Sequence, residues 1–242
     1  MSGAGRGIGR STAIALAGGG ARVILLARSS RELDEVAHTI VESGGDALAI
    51  PTDVGDPSAV AETSQRIIGE AGGADILVNN AAVVWPLGPS VSLDSTQWAG
   101  AIAVNLVGAV SLTLALLPRM LERKWGRVVN VSSGIVAKPD GMIGGNAYTT
   151  SKAALEAHSI NLAAELANTG VTVNVYRPGA VDTEMQAWIR RQSKERIGEG
   201  LHARFVESFE KGTLITPKES ARSLVFNLMS DATGQIWNVA RG

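Results

Sequence analysis

Six short apolar runs, separated by segments with helical patterns, constrain the fold of this chain most strongly. The runs are Arg22–Ala27, Ala47–Pro51, Asp75–Val78, Arg127–Ser132, Val171–Tyr176 and Ile236–Val239. Most of them are apolar without alternation, which is typical of parallel strands covered by helices on both faces. Alternation of such strands with helices predicts an α/β fold with a doubly wound (Rossmann) parallel sheet.

Helix-start signals between the runs support this interpretation. They are Ser29-x-x-Glu32, Asp56-Pro57 and Thr216-Pro217-Lys218-Glu219. Ser, Asp and Thr are favourable N-cap residues, Pro suits the first helical position, and Glu three residues after the cap can complete a capping box. Because no linker or internal repeat interrupts the pattern, residues 1–242 are expected to form a single domain.

Composition argues against several classes of function. A net charge of −1 gives no electrostatic reason to expect nucleic acid or an anionic membrane as a partner. The absence of cysteine excludes disulfides and thiolate catalysis, and three scattered histidines suggest no metal site. The longest apolar stretch, residues 101–117, is better interpreted as a buried helix than as a membrane span. With no visible signal peptide, a cytoplasmic protein is expected.

A glycine-rich segment at the start of the chain predicts a phosphate-binding loop. Its spacing is Gly3-x-x-x-Gly7-x-Gly9, and it also contains Gly5, Arg6 and Ile8. Glycines allow a backbone to approach a pyrophosphate, and the following helix presents free N–H groups and a favourable dipole. The alternative is a flexible turn without a ligand.

The position of this loop is unusual, because only Met1 and Ser2 precede it. A loop of this kind normally follows a strand in the middle of the sheet. We therefore expect the first strand to be missing from the sequence. Its place would be an apolar slot with unpaired backbone groups, unless something else fills it.

The residues after the Arg22–Ala27 run bear on the choice of cofactor. An NAD site places an acid there for the ribose 2′-hydroxyl, whereas this chain has Arg28 followed by Ser29. Together with Arg6, Arg28 suits a 2′-phosphate, which predicts NADP(H) in preference to NAD(H). Alternatively, Arg28 only ends a strand in solvent.

Tyr148 and Lys152 lie four residues apart in a segment with helical composition, so they share one helix face. A nearby ammonium lowers the pKa of a tyrosine and lets it exchange a proton with a carbonyl or alcohol oxygen. Ser133 follows the end of a predicted strand, where a hydroxyl can stabilise developing charge. Taken singly, the alternatives are a surface pair for Tyr148 and Lys152 and a turn or cap for the serine.

In this order, the loop, Ser133, Tyr148 and Lys152 resemble the short-chain dehydrogenase/reductase family. The likeness is greatest to its 3-oxoacyl-[acyl-carrier-protein] reductases and related carbonyl reductases, and it extends from Gly3 to about Gly242. Further matching segments are Asp53-Val54, Asn79-Asn80-Ala81-Ala82, Asn105, Pro178-Gly179 with Val181 and Thr183, and Thr233-Gly234-Gln235.

The resemblance implies a role for each matched residue. Tyr148 would be the general acid/base, Lys152 would lower its pKa and hold the nicotinamide ribose, and Ser133 would orient the substrate oxygen, with Ser132 as the alternative serine. Asn105 would support a proton relay. The resemblance assigns cofactor binding to the glycine loop and to Arg28, Ser29, Asp53, Val54, Asn80, Ala81, Pro178, Gly179, Val181 and Thr183.

The chain departs from the family pattern at two further places. The interval of 15 residues between Ser133 and Tyr148 is longer than usual, with the extra residues in the segment 138–146, and Arg177 precedes Pro178 where many relatives carry an uncharged residue.

The segment 184–212 is expected to form a substrate lid, with Trp85 and Met142 as further candidates for the pocket wall. The resemblance implies a carbonyl or alcohol substrate, unidentified by the sequence, and a homodimer or homotetramer. Competing hypotheses are an NAD(H)-dependent dehydrogenase, another reaction on the same fold, and a non-catalytic nucleotide-binding protein.

Overall fold

A computed structural model describes residues 1–240, within which the chain forms six strands and ten α-helices. The strands are β1 (Arg22–Ala27), β2 (Asp46–Pro51), β3 (Ile76–Asn79), β4 (Gly126–Val131), β5 (Val171–Arg177) and β6 (Ile236–Asn238). The helices are α1 (Gly7–Gly18), α2 (Ser30–Glu42), α3 (Pro57–Ala71), α4 (Ser95–Ile102), α5 (Gly108–Glu122), α6 (Asn146–Glu165), α7 (Glu184–Arg190), α8 (Lys194–Ile197), α9 (Glu199–Glu210) and α10 (Pro217–Leu228). The expected domain end at Gly242 lies outside the described residues.

All strand pairings are parallel, as the continuous apolar runs predicted. The strands form two parallel sheets, one with the order β1-β2 and the other with the order β3-β4-β5-β6. Helices cover both faces. One core cluster packs α3, α5 and α6 against the sheet, and the other packs α1, α2 and α10 against it. The doubly wound α/β fold is therefore confirmed.

Met1 and Ser2 lie between β1 and β3, in part of the slot where the first strand was expected to be missing. The Leu26 amide donates to the Met1 carbonyl at 2.9 Å, and the Ser2 amide donates to the Val78 carbonyl at 3.0 Å. Ser2 forms a single parallel bridge with Leu26. Met1 and Ser2 thus fill part of the slot, which was the alternative to an open one, and they satisfy backbone groups of both neighbours.

The long apolar segment forms α4 and α5, joined by one π-helical turn over Ala103–Val107. By length and composition alone, the helix Ser95–Glu122 could cross a membrane. A core helix passes the same test. Three side chains of this helix, those of Leu112, Leu116 and Met120, are buried in the core, in agreement with its interpretation as a buried helix.

Candidate active site

A cavity of about 1050 Å³ includes the residues that follow the carboxyl ends of β1 to β5. This is the edge where open α/β sheets bind ligands. Of the residues predicted from the sequence, its wall includes Gly3, Gly5, Arg6, Gly7, Ile8, Arg28, Ser29, Asp53, Val54, Asn80, Ala81, Ser133, Tyr148, Lys152, Pro178, Gly179, Val181 and Thr183. Gly9 and Asn105 are the two predicted residues that lie outside the wall.

The glycine loop is shaped by close backbone packing. Gly3 has a φ of +64°, and a Cβ on Gly9 would lie 1.9 Å from the Gly3 carbonyl oxygen. The side-chain amide of Asn80 donates from Nδ2 to the carbonyls of Ser2 and Gly3, both at 3.1 Å, and so connects the loop to the end of β3. The lack of a side chain at Gly9 therefore lets the loop fold closely on itself.

Helix α1 begins at Gly7 with no side-chain cap from Arg6 at its N-cap. Its first N–H groups are therefore available at the cavity wall, where the loop residues Gly5, Arg6 and Ile8 also lie. Free amides and the positive end of the helix dipole favour a bound phosphate. These residues fit the pyrophosphate of a dinucleotide.

The part of the cavity wall that includes Arg28 and Ser29, where the cofactor's adenosine was expected, is called the adenosine end below. It also contains Glu32, for which the sequence predicted only a helix-capping role. The backbone amide of Glu32 donates to the Ser29 hydroxyl at 3.2 Å, but the Glu32 carboxylate does not accept the reciprocal bond of a capping box. Its carboxylate lies beside Gly5, where a Cβ would come within 2.7 Å of Oε2, and 3.9 Å from the Arg6 guanidinium. Arg28 is exposed on the same wall and forms no ion pair within residues 1–240.

Tyr148 is partly buried near the start of α6 and interacts with Ser133 at the end of β4. Burial raises the pKa of Tyr148, and the hydrogen bond with Ser133 only partly opposes this shift. The expectation that Lys152 lowers this pKa is therefore not met in this structure, where the Lys152 ammonium donates to the Val131 carbonyl instead. The Ser132 hydroxyl, in contrast, is buried and donates to Glu156 at 2.7 Å. This arrangement favours Ser133 over Ser132 as the serine that faces a substrate oxygen.

Lys152 lies one turn after Tyr148 on α6 and is 2% exposed. Its ammonium donates to the Val131 carbonyl at 2.7 Å. Burial lowers the pKa of Lys152 to about 8, and the nearby Glu156 carboxylate opposes this shift. The ammonium is therefore poorly solvated but still carries its charge at neutral pH.

A buried ion pair lies behind Lys152. Arg177 donates from Nε and Nη2 to the two carboxylate oxygens of Glu156, at 2.8 and 2.7 Å. With the Ser132 bond, this pair ties α6 to the ends of both β4 and β5. Sequence reasoning identified Arg177 as unusual but missed Glu156, although its position four residues after Lys152 places it on the same helix face.

Asn105 lies in the π-helical turn beneath the cavity and is 1% exposed. Its side chain accepts from the Val83 amide at 2.7 Å and donates to the Val83 carbonyl and the Ser151 hydroxyl at 2.8 and 3.0 Å. These bonds connect the segment after β3 to α6. The side chain of Asn105 thus fixes the position of the segment at Val83 relative to α6.

The other end of the cavity is largely apolar. Its wall includes Val84, Trp85, Met142, Met185, Trp188, Ile189 and Phe205. Many of these residues pack with α8 and α9 in a third apolar cluster, which joins the expected lid to the loop before Tyr148. Phe209, another apolar residue of the lid, is instead half-exposed beneath the Arg190 guanidinium.

Comparison with known proteins agrees with this geometry. The family model of short chain dehydrogenases matches residues 1–194. The chain is 32% identical to the 2,3-dihydro-2,3-dihydroxybenzoate dehydrogenase of Escherichia coli K12, over 98% of this chain and 90% of that protein. It is also 32% identical to a 3-oxoacyl-[acyl-carrier-protein] reductase of Aquifex aeolicus, over 100% and 95%.

Solved structures show the same architecture. A protein from Beutenbergia cavernae, described as an NAD(P)-dependent gluconate 5-dehydrogenase with bound NADP, superposes with a TM-score of 0.86 at 31% identity, over 98% of this chain and 92% of that one. An NAD⁺-bound xylitol dehydrogenase superposes with a TM-score of 0.88 at 27% identity, over 100% and 96%. The chain therefore belongs to the short-chain dehydrogenase/reductase family of oxidoreductases.

Proposed function

We propose that this protein transfers a hydride between NADP(H) and a carbonyl or secondary alcohol substrate. The observation that carries the proposal is the convergence of Ser133, Tyr148 and Lys152 on the cavity that the glycine loop also lines. In the reducing direction, one ketone, one NADPH and one proton give one secondary alcohol and one NADP⁺. The nicotinamide supplies the hydride when it is bound.

The side chains of this chain perform the proton chemistry. Ser133 donates a hydrogen bond to the substrate carbonyl oxygen, and Tyr148 donates its phenolic proton to that oxygen as negative charge develops there. Because burial raises its pKa, Tyr148 is a protonated phenol at neutral pH before the reaction begins. The Lys152 ammonium then stabilises the phenolate that is left behind. Oxidation of an alcohol uses the same groups in reverse.

The proposed preference for NADP(H) rests on Arg28, which lines the adenosine end of the cavity and has no acidic partner among residues 1–240. The carboxylate of Glu32, beside Gly5, is the feature that favours the alternative of NAD(H), because an acid can accept from a ribose hydroxyl and repels a phosphate. Arg28→Asp should weaken NADPH binding more than NADH binding in a fluorescence titration. Equal weakening of both would remove the phosphate role.

The proposal extends to the lid and the assembly. The segment 184–212, which forms α7 to α9, covers the substrate, and the protein acts in the cytoplasm as a homodimer or homotetramer. Val107, Leu114 and Leu121 are spaced by seven residues along one helix and are all exposed, as is Ile160 on α6. Such an apolar stripe on the two helices suits a symmetric contact with a second copy.

The direct test of function is turnover. Purified protein is mixed with NADPH and a panel of ketones, and loss of absorbance at the nicotinamide band is followed. Consumption of NADPH with formation of an equal amount of alcohol supports the proposal. Failure to reduce any ketone while NADPH still binds would favour a non-catalytic nucleotide-binding role.

A further inference from the structure

Positively charged side chains at the apolar end of the cavity, called the substrate end below, form no ion pair with an acid within residues 1–240. Most arginines within residues 1–240 form an ion pair, but two that line the cavity, Arg28 and Arg204, do not. Arg28 lies at the adenosine end, where the proposed function provides a phosphate. Arg204 lies on α9 at the opposite end, where the cofactor provides no anion.

Arg204 is held in place although it lacks an ion pair. Its guanidinium donates to the Gly141 carbonyl and lies 5.3 Å from the centre of the Phe205 ring. Arg204 is exposed at the rim of the cavity, and the part of it that is desolvated lowers its pKa. Its guanidinium is therefore accessible to an anionic ligand in the cavity, with which it can form charge-assisted hydrogen bonds.

Lys138 adds a second cation at the same place. A Cβ on Gly141 would lie 3.4 Å from Arg204 Nη1 and 3.9 Å from Lys138 Cγ, so the two side chains flank this glycine. Lys138 also lines the cavity and forms no ion pair in the described part of the chain. It belongs to the segment that lengthens the interval between Ser133 and Tyr148.

The acids of the cavity wall are engaged elsewhere. Glu32 and Asp53 belong to the cofactor end, and Glu184 pairs with Arg191. The same wall also contains large apolar side chains, among them Trp188 and Phe205. The substrate end therefore combines an apolar body with a cationic edge.

We propose that the substrate is an oxo acid or hydroxy acid whose carboxylate binds Arg204 and Lys138 while its carbonyl or alcohol oxygen meets Ser133 and Tyr148. This inference rests on the proposed function. The planar guanidinium of Arg204 matches a carboxylate and the ammonium of Lys138 adds a point charge. The apolar wall contacts the carbon skeleton between the two polar ends of the substrate.

The test compares aryl oxo acids of increasing chain length, from benzoylformate upward, with their methyl esters, which carry the same ketone without the charge. For the acid that spans the site, kcat/KM should exceed that of its ester by about 10-fold to 100-fold, the range expected for a charge-assisted hydrogen bond. Arg204→Gln should lower this ratio, because only the Lys138 ammonium is then left to bind the carboxylate. Lys211→Gln, which removes a cation just after α9 and outside the cavity wall, should preserve the ratio.

The outcomes separate this inference from the proposed function. If the esters are reduced as well as or better than every acid, the carboxylate site is refuted while the hydride chemistry stands. If neither set is reduced, turnover on the wider panel of ketones decides the proposed function. Quenching of tryptophan fluorescence in the NADPH-loaded protein then decides the inference, because acid binding that Arg204→Gln weakens supports it and equal binding by both proteins overturns it.

Discussion

The buried pair of Glu156 and Arg177 offers a prediction whose size follows from the structure. The two side chains are 7% and 15% exposed and share two hydrogen bonds. Arg177→Met keeps much of the side-chain length but leaves the Glu156 carboxylate with only the Ser132 hydroxyl as a hydrogen-bond partner and the Lys152 ammonium as a nearby opposite charge. The variant thus removes two charge-assisted hydrogen bonds from a buried carboxylate.

Removing one member of a buried ion pair costs about 3–5 kcal/mol, and the residual exposure of Arg177 favours the lower end of this range. For a chain of this size, about 3 kcal/mol corresponds to a fall in Tm of roughly 6–12 °C. Thermal unfolding followed by circular dichroism, at neutral pH and with a fixed concentration of NADP⁺, measures the change.

The double variant Glu156→Leu with Arg177→Met is the matched control. It removes both charges and leaves only the Ser132 hydroxyl without its acceptor, so it should be more stable than Arg177→Met alone. If Arg177→Met lowers Tm by less than about 2 °C, or if the double variant is the less stable of the two, the pair does not tie α6 to the strand ends as described.

Three further predictions concern separate parts of the molecule. Lys152 has a folded-state pKa of about 8 against an unfolded value near 10.5, so the unfolded chain binds more protons than the folded chain between these two pH values. Relative to Lys152→Met, the free energy of unfolding of the wild type should therefore rise by roughly 1–3 kcal/mol from pH 8 to pH 10. Urea unfolding that shows no such rise would contradict the burial of the ammonium. Gly9→Ala places a Cβ against the Gly3 carbonyl and should abolish NADPH binding at micromolar protein, and unchanged binding in a fluorescence titration would refute the tight loop. Leu114→Glu puts a charge in the exposed apolar stripe and should shift the protein to monomers in light scattering, whereas an unchanged mass would exclude this face from the contact.

The fold could be predicted because parallel strands buried on both faces leave a readable signal in the sequence. The run Arg22–Ala27 matches β1 without error, and the other runs differ from the strands by one residue at one or both ends. The signal failed at the start of the chain, where two residues are too few to show a pattern. Met1 and Ser2 nevertheless pair with β1 and β3, and only the three-dimensional arrangement reveals this.

The site was predictable where a residue type alone indicates a role at a strand end or on a helix face, as for Tyr148 and Lys152. It was not predictable where the role depends on register between distant elements. Glu156 meets Arg177 only because α6 crosses above the end of β5, and Glu32 reaches the glycine loop only because α2 begins beside it. The hydrogen bonds of the Asn105 side chain with Val83 and Ser151 also depend on packing between distant segments.

A single turnover of bound NADPH by Tyr148→Phe tests the central claim most directly. The variant keeps the ring and removes the hydroxyl that donates the proton, so NADPH should bind as in the wild type while the rate of its oxidation by a ketone falls at least 100-fold, the lower range for loss of a general acid. Thr150→Ala, an exposed change two residues along the same helix and outside the cavity wall, should retain the wild-type rate. Oxidation of NADPH by Tyr148→Phe at the wild-type rate would contradict the account.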